Sequence, residues 1–399
     1  MSQSNKILVA NIGTTSFKFR LFEMPSERLL ARGGVERIGS PLSPWKIQVE
    51  GQEAVSGEDA CPDHAAAFSL AEKHLIGKVL GSFHELAAFG FKPVGAKNIS
   101  GTQVLDETVL KAMEDLYSLF PAHNPPYVAG VRACHKLYAG IPCVGTFETA
   151  FYDNVPLHNR RFPVPLEWEE KYGIRRYGFH GASHRFITER SAELVGSKKM
   201  RLISCHLGGS SSIAAVKDGT AVDSSWGMTP QSGLPQNNRV GDFDVFAFTY
   251  LARECGLGLD KAASELSKNA GLKGMSGLPT GDVRDLWEAV GKGNENARVA
   301  IDVFVGAIRK YVGQFLVELD GADVIVFTGG IGENDWQVRE AVCEGLTFCG
   351  LKLDKKFNAT VRSQEAVISA PDSKIQVRVI PTNEEIIIAR NAWTKLGAK

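Results

Sequence analysis

Two stretches far apart in the chain repeat one design, and that repeat constrains the fold more than any other feature. At residues 7–10 the apolar run ILVA ends in Asn11-Ile12-Gly13-Thr14-Thr15-Ser16, after which FKFRLFE alternates apolar and polar residues as a half-buried strand does. At residues 202–206, LISCH runs into Leu207-Gly208-Gly209-Ser210-Ser211-Ser212 and then into IAAVKDG, where Asp218-Gly219 signals a hairpin turn. Strand, small-residue turn, strand therefore occurs twice. Apolar residues recurring at three and four positions predict helices at 105–118, 184–195, 243–254, 260–268, 294–319 and 335–346, with β-rich runs at 142–147 and 323–327. Strands alternating with helices around a duplicated hairpin predict an α/β fold with mixed sheets.

A chain of 399 residues exceeds one small core and suggests two domains. The proline-bearing, aromatic stretch 151–168 interrupts the pattern before the second copy begins, which places a boundary near residue 150. The expected division is 1–150 and 151–385, with a C-terminal helix over 386–399 packing back on the first lobe and a ligand in the cleft between lobes. Lys plus Arg and Asp plus Glu each number 45, so no global field favours nucleic acid or an anionic membrane. Any anion site must be built locally. Seven cysteines are scattered without a CxxC pair, as expected of buried thiols in a reducing compartment. The opening MSQSNKILVANIG lacks the basic start and apolar run of a signal peptide, and no later stretch reaches ~18 uninterrupted apolar residues. A cytoplasmic protein without a membrane segment is the expectation.

Several segments carry chemistry. Backbone amides in a tight Gly/Ser turn make a concavity for phosphate oxygens, and Gly208 to Ser212 is such a turn, although a plain hairpin loop has the same composition. In DVIVFTGGIGEN, 323–334, an apolar strand precedes Gly329-Gly330-Ile331-Gly332 and a helix expected to begin near Glu333-Asn334; such a turn holds a nucleotide or is a ligand-free connection. Neither the GxGxxG spacing nor a GxxxxGK[ST] loop occurs. In RVIPTNEE, 378–385, Thr382 or Asn383 is expected to cap the next helix, and Glu384 reads as a first-turn acid or as a magnesium ligand. Arg239 in QNNRVGDFD and Arg284 in TGDVRD read as phosphoryl clamps or as partners of a neighbouring aspartate. His123, His180 and His206 each read, singly, as structural hydrogen-bonding histidines. RRYGFHGASH, 175–184, gathers His180 and His184 with arginines, glycines and aromatics, and Ser183 is expected to cap a helix that His184 begins.

NIGTTSFKF, PAHNPP, FETAF, RRYGFHGASH, HLGGSSSIAAVKDG, GDVRD, FTGGIGEN and PTNEE occur in that order over nearly the whole chain. Together they make it resemble the acetate kinase family, the acetate and propionate kinases, within the actin-like, sugar-kinase-like ATPases. The resemblance implies two duplicated actin-like (ribonuclease H-like) lobes with an ATP cleft between them. It also implies reversible phosphoryl transfer between ATP and a short carboxylic acid, giving an acyl phosphate and ADP. Asn11 and Glu384 match the family's Mg²⁺ positions, where Mn²⁺ can substitute. Thr14, Ser16 and Lys18 match its first phosphate loop, and His206, Leu207, Gly208, Gly209 and Ser210 its second. Asp282, Val283 and Arg284, with Gly330, Ile331, Gly332, Glu333 and Asn334, match segments around the adenosine and ribose. His180 and Arg239 match transition-state stabilisers, while Phe179, Val94 and Pro230 match the pocket for the substrate's alkyl end. A homodimer is expected from the resemblance alone.

Three positions depart from the family pattern. Its catalytic aspartate is Glu148 here, and its substrate-binding arginine is Lys92, in AAFGFKPVGAK. Lysine cannot make the planar two-pronged contact of arginine with a carboxylate, and glutamate pushes its carboxylate one carbon further. The third departure is Ala122, where the family has leucine; the smaller side chain enlarges the apolar pocket, so propionate is expected to serve at least as well as acetate. A preference for propionate or butyrate, or a weakened ATP-binding homologue, are the alternatives these departures raise.

Overall fold

A computed structural model describes residues 4–397. Internal packing divides the chain into two units, one running through Asp153 and resuming at Asn383, the other spanning Asn154–Thr382.

The first unit is built on eight strands: β1 (Lys6–Gly13), β2 (Ser16–Glu23), β3 (Arg28–Glu36), β4 (Ser43–Val49), β5 (Val55–Asp59), β6 (Ala88–Phe91), β7 (Thr102–Val104) and β8 (Cys143–Thr146). Their order is β5-β4-β3-β2-β1-β6-β8-β7. β1 to β5 form an antiparallel meander, β6 and β8 run parallel to β1, and β7 returns antiparallel. Gly13 pairs with Ser16, leaving Thr14-Thr15 as a two-residue turn. Alternation along β2 turns Phe17, Phe19 and Leu21 into the core, where Phe17 meets Phe68 of the His64–Leu75 helix at 4.4 Å between ring centroids. The Glu384–Lys395 helix lies on β1, β6 and β8.

The second unit carries β9 (Arg201–His206), β10 (Ser212–Lys217), β11 (Thr220–Ser224), β12 (Val324–Thr328), β13 (Ala366–Val367) and β14 (Gln376–Val379), in the order β11-β10-β9-β12-β14-β13. β9 to β11 are antiparallel, while β12 and β14 run parallel to β9. The order and sense of β3-β2-β1-β6-β8 therefore recur as β11-β10-β9-β12-β14, and the duplicated hairpins open equivalent sheets. Asp218 and Gly219 form the β10–β11 turn with φ of 52° and 84°, both left-handed as a two-residue hairpin with this sequence requires. The 24-residue helix Glu295–Glu318 buries a stripe that includes Ala297, Ile301, Phe304, Ile308, Val312 and Phe315, spaced three and four apart, against the second core.

Some local expectations are corrected. The helix expected to begin at His184 begins at Gly181, and Ser183 turns its hydroxyl to His206 and Thr382 instead of capping. Gly329–Asn334 is itself a short helix rather than a turn before one. The 105–118 helix is shorter, Glu107–Glu114, because Asp106 accepts from Val109 N and sets its start. The meander over β3–β5 and the helices His64–Leu75 and Asn124–Leu137 were not anticipated.

Candidate active site

In the first unit, side chains gather at the carboxyl ends of the parallel strands, where open α/β sheets place their ligands. Asn11 lies near the end of β1, Lys92 directly follows β6, and Glu148 follows β8 by two residues. Glu384 opens the helix that lies across these strands, with Asn383 accepting from Ile386 N at 3.4 Å as its cap. Lys92 Nζ sits 2.7 Å from Glu148 Oε1 and also bonds Glu384 Oε2. The three side chains are only 17%, 7% and 15% exposed. Burial alone would lower the Lys92 pKa, but the Glu148 and Glu384 carboxylates hold it well above the ordinary lysine range. The ammonium stays charged, and with both carboxylates ionised the trio carries a net negative charge.

Tyr127, which sequence reasoning missed, completes this group. Its hydroxyl donates to Asn11 Oδ1 at 3.2 Å. Burial pushes its phenol well above the usual tyrosine range, against the pull of Lys92, so the donor is retained. Its signal was its place directly after PAHNPP, in the first turn of the helix Asn124–Leu137. Buried Asn124 donates to the carbonyls of Gly95 at 3.0 Å and Met113 at 2.8 Å, which fixes the loop carrying buried Val94.

Asn11, Glu148 and Glu384 offer hard oxygen donors with the charge a divalent cation of the Mg²⁺ type prefers. Among the described residues no group of three or more His, Cys, Asp or Glu side chains is arranged to hold a metal. Asn11 and Glu384, the pair matched to metal positions, would leave most of such an ion's coordination to phosphate and water. Thr14 Oγ1 reaches the carbonyl of exposed Ala122 at 3.4 Å, which ties the first hairpin turn to the alanine that departs from the family pattern. Ser16 starts β2 beside that turn. Lys18 stands apart from Lys92: it is 3.9 Å from Glu36 and lines a separate cavity of about 690 Å³ with Arg20, Arg32 and Lys46.

In the second unit the two glycine-rich segments are stitched at Leu207. Its N–H donates to Thr328 O at 2.8 Å, and its carbonyl accepts from Ile331 N at 2.8 Å and Gly332 N at 3.1 Å. Gly329 has φ of +75°, and a Cβ there would stand 2.7 Å from Leu207 O, so only glycine permits the seam. Beside it lies a cavity of about 690 Å³ lined by Gly208, Gly209, Asp282, Val283, Arg284, Gly330, Ile331 and Asn334, all sequence-predicted, and by Asn237, Trp287 and Arg362, which were not.

Other predicted nucleotide residues serve this cavity from behind. Glu333 Oε1 accepts from Gly329 N at 3.0 Å and Thr382 N at 3.2 Å. The guanidinium of Arg284 bonds Asp282 at 3.0 and 2.6 Å, so of its two readings the aspartate pair is present; that contact holds the Asp282 carboxyl below its usual range. Trp287 is steadied by a 2.8 Å bond from Nε1 to Asp335 Oδ2, with Arg298 5.3 Å above its ring. Fully buried Arg339 donates to the carbonyls of Gly332, Asn358 and Val361 at 2.9–3.0 Å and to Asn358 Oδ1 at 2.8 Å, and burial brings its pKa down to about 10.

His180 adopts φ of 54°, uncommon for a residue with a side chain and of the kind that persists where surrounding packing enforces it. Its ring lies 4.1 Å from that of His206 and 4.5 Å from that of Trp226, which also packs on buried Phe179 at 4.8 Å. His180 Nδ1 is 2.9 Å from Ser212 Oγ; Ser212 Oγ is 2.8 Å from His184 Nε2; His184 Nδ1 is 2.8 Å from Ser204 Oγ. His206 Nδ1 meets Ser183 Oγ at 2.8 Å. Arg239 Nη1 donates to Gln236 Oε1 at 3.1 Å and, at 3.4 Å, to Ser210 Oγ and to the carbonyl of buried Pro230. All of these are neutral oxygens, which leaves the guanidinium charge for an anion. Arg175 stacks over Tyr177 and Arg176 bonds Asp223, so both are structural.

Fully buried His184 has its pKa well below the ordinary value, from burial and then from His206. The unfolded chain takes up a proton there near pH ~6.5 while the folded chain does not, so stability is lost as pH falls. We expect this group to remove about 1.4 kcal/mol per pH unit below that point. Urea midpoints against pH check it: in His184→Gln that part of the slope disappears, and an unchanged slope means His184 is charged in the fold.

A family model described as the Acetokinase family matches residues 6–390. An acetate kinase of Bacillus subtilis (strain 168) is 42% identical over 391 residues, covering 97% of this chain and 98% of that protein. Among solved structures, that of Porphyromonas gingivalis acetate kinase matches with a TM-score of 0.89 at 39% identity, over 98% of this chain and 100% of that one. A propionate kinase from Francisella tularensis subsp. tularensis SCHU S4 matches with a TM-score of 0.89 at 30% identity, over 97% and 98%. These structural neighbours share the actin-like ATPase fold expected from the motifs.

Proposed function

Because the chain belongs to the acetokinase family, we propose that it is an acetate kinase-type phosphotransferase moving the γ-phosphoryl group between ATP and a short carboxylate, reversibly. The observation that carries this reading is the cavity floored by two glycine segments sewn together at Leu207. Backbone amides and absent side chains are what a nucleotide's phosphates and sugar need there. Thr14, Ser16 and His206 to Ser210 supply the phosphate contacts, without Lys18, which lines the separate cavity beside Glu36; Asp282 to Arg284 and Gly330 to Asn334 surround the nucleoside.

Little covalent chemistry falls to the protein in phosphoryl transfer; positioning and charge stabilisation do most of it. Arg239 and His180 donate to the equatorial oxygens of the group in flight, each contributing about 3 kcal/mol. Asn11 and Glu384 would hold Mg²⁺, or Mn²⁺ in its place, which would supply positive charge to neutralise the phosphates. Lys92 has three N–H donors, two of them engaged by Glu148 and Glu384, leaving one for the substrate carboxylate. A substrate carboxylate is already ionised at neutral pH, so Glu148 is a positioning group and not a base. Val94, Ala122, Phe179 and Pro230 receive the alkyl end. Among the described residues no helix is long and apolar enough to cross a membrane. We assign the enzyme to the cytoplasm as a homodimer, and exposed Val245, Phe246 and Tyr250 on one helix of the second unit are consistent with a surface a partner copy covers.

Incubation with ATP, Mg²⁺ and a carboxylate panel, trapping acyl phosphate with hydroxylamine, tests this reading. Propionate should equal or exceed acetate in kcat/KM, since each methylene buried beside Ala122 contributes up to ~0.8 kcal/mol; a strong acetate preference rejects the enlarged pocket. ATP binding without hydroxamate from any acid would instead establish a weakened homologue, the reading favoured by the capture of Lys92 between two carboxylates.

A further inference from the structure

His180, taken above as a donor to the transferring phosphoryl group, must present an N–H. Its ring nitrogens are distinct, and the partner of Nδ1 decides what Nε2 carries. Nδ1 faces Ser212 Oγ, and from there hydrogen bonds run through His184 to Ser204, all three of these side chains fully buried.

This chain of bonds can run in two directions. If His184 donates from Nδ1 to Ser204 Oγ, the Ser204 hydroxyl hydrogen needs another acceptor, and none lies within hydrogen-bond reach among the described residues. A buried hydroxyl donor without an acceptor costs desolvation free energy with nothing in return. In the opposite direction every donor is used. Ser204 O–H donates to His184 Nδ1, His184 Nε2–H to Ser212 Oγ, and Ser212 O–H to His180 Nδ1.

We propose that Ser204, His184 and Ser212 form a one-way hydrogen-bond relay that presents His180 as a neutral imidazole with its proton on Nε2. This rests on the phosphotransferase reading only in what the proton is for. His184 and Ser212 are positioning residues: they set the tautomer and the ring plane of His180, whose left-handed backbone already limits its orientation. The relay needs His184 uncharged, and its burial keeps it so. The helix Gly181–Val195 packs on β9 and β12. Of the titratable groups there, His206 on β9 faces both imidazoles, while β12, VIVFT, carries none. A charge on His206 opposes a charge on either ring, which works in the same direction as the relay.

Imidazole ¹⁵N NMR tests this, with the His180 resonances assigned by their loss in His180→Gln. The wild-type chain should show His180 protonated at Nε2 and bare at Nδ1 at neutral pH. Because a hydroxyl donating to Nδ1 disfavours protonation, Ser212→Ala should raise the His180 titration midpoint by about one unit. Turnover of Ser212→Ala should fall about tenfold with ATP binding unchanged, and Ser212→Thr should recover most of both. A proton on Nδ1 in the wild type, or a midpoint that moves down in Ser212→Ala, overturns the relay direction; unaltered turnover overturns its role in positioning. The wild-type spectrum decides the direction even if Ser212→Ala does not fold. If the wild type forms no hydroxamate, the phosphotransferase reading fails while the NMR result still decides the relay.

Discussion

Glu148→Gln should lower turnover a hundredfold or more while ATP binding survives. Glutamine keeps the shape of the side chain and one acceptor for Lys92 Nζ, now 2.7 Å from the glutamate, but removes the charge. Lys92 is then left with Glu384 as its one charged partner and drifts toward it. A displacement near 1 Å at a reaction centre can cost about a hundredfold, because alignment of donor, acceptor and transferring group carries much of the rate. The measurement is kcat by hydroxamate formation beside nucleotide affinity by calorimetry. Unchanged turnover would remove Glu148 from the mechanism, and loss of ATP binding would show that it acts through the fold. Glu148→Asp, which restores the family's residue, should keep the charge and retain much more activity than Glu148→Gln.

Lys92→Met should be the most destabilising of these changes, by about 3–5 kcal/mol, because two largely buried carboxylates lose the cation between them. The loss should shrink as pH falls into the carboxylate range, where Glu148 and Glu384 can protonate and no longer repel one another. Urea unfolding at neutral and acidic pH checks this; an equal loss at both would mean that the stem of Lys92 matters for packing and its charge does not. Lys92→Arg keeps the charge and adds a planar fork, so KM for the carboxylate should fall relative to wild type. A higher KM would place the substrate carboxylate away from residue 92.

Much of the fold was legible because it is local. Both hairpins, the Asp218-Gly219 turn and the long Glu295–Glu318 helix follow from side-chain period and from the backbone freedom of a few residues. The meander was not legible. In β3, Gly33 and Gly34 interrupt the alternation, and their reason lies on neighbouring strands: a Cβ on Gly33 would come within 2.8 Å of Ile47, Phe19 and the Lys46 carbonyl. Ser183 misled for a similar reason. Its hydroxyl has the chemistry of a helix cap, but His206 and Thr382, distant in sequence, compete for it and win.

The candidate site divides along the same line. Motif order alone determined the family and the kind of reaction, and it named the loops proposed to touch phosphate, since those loops are short contiguous stretches that can be read without the fold. Only the tertiary structure decided that Lys92 is shared by Glu148 and by Glu384, 292 positions away in the chain. It alone showed that Arg284 is paired while the hydrogen bonds of Arg239 go to neutral oxygens, and that hydrogen bonds link His180 through Ser212 and His184 to Ser204. Charge pairing and proton position depend on distance, burial and the count of donors and acceptors in a closed space, and none of these exists until strands and helices far apart in sequence have packed together.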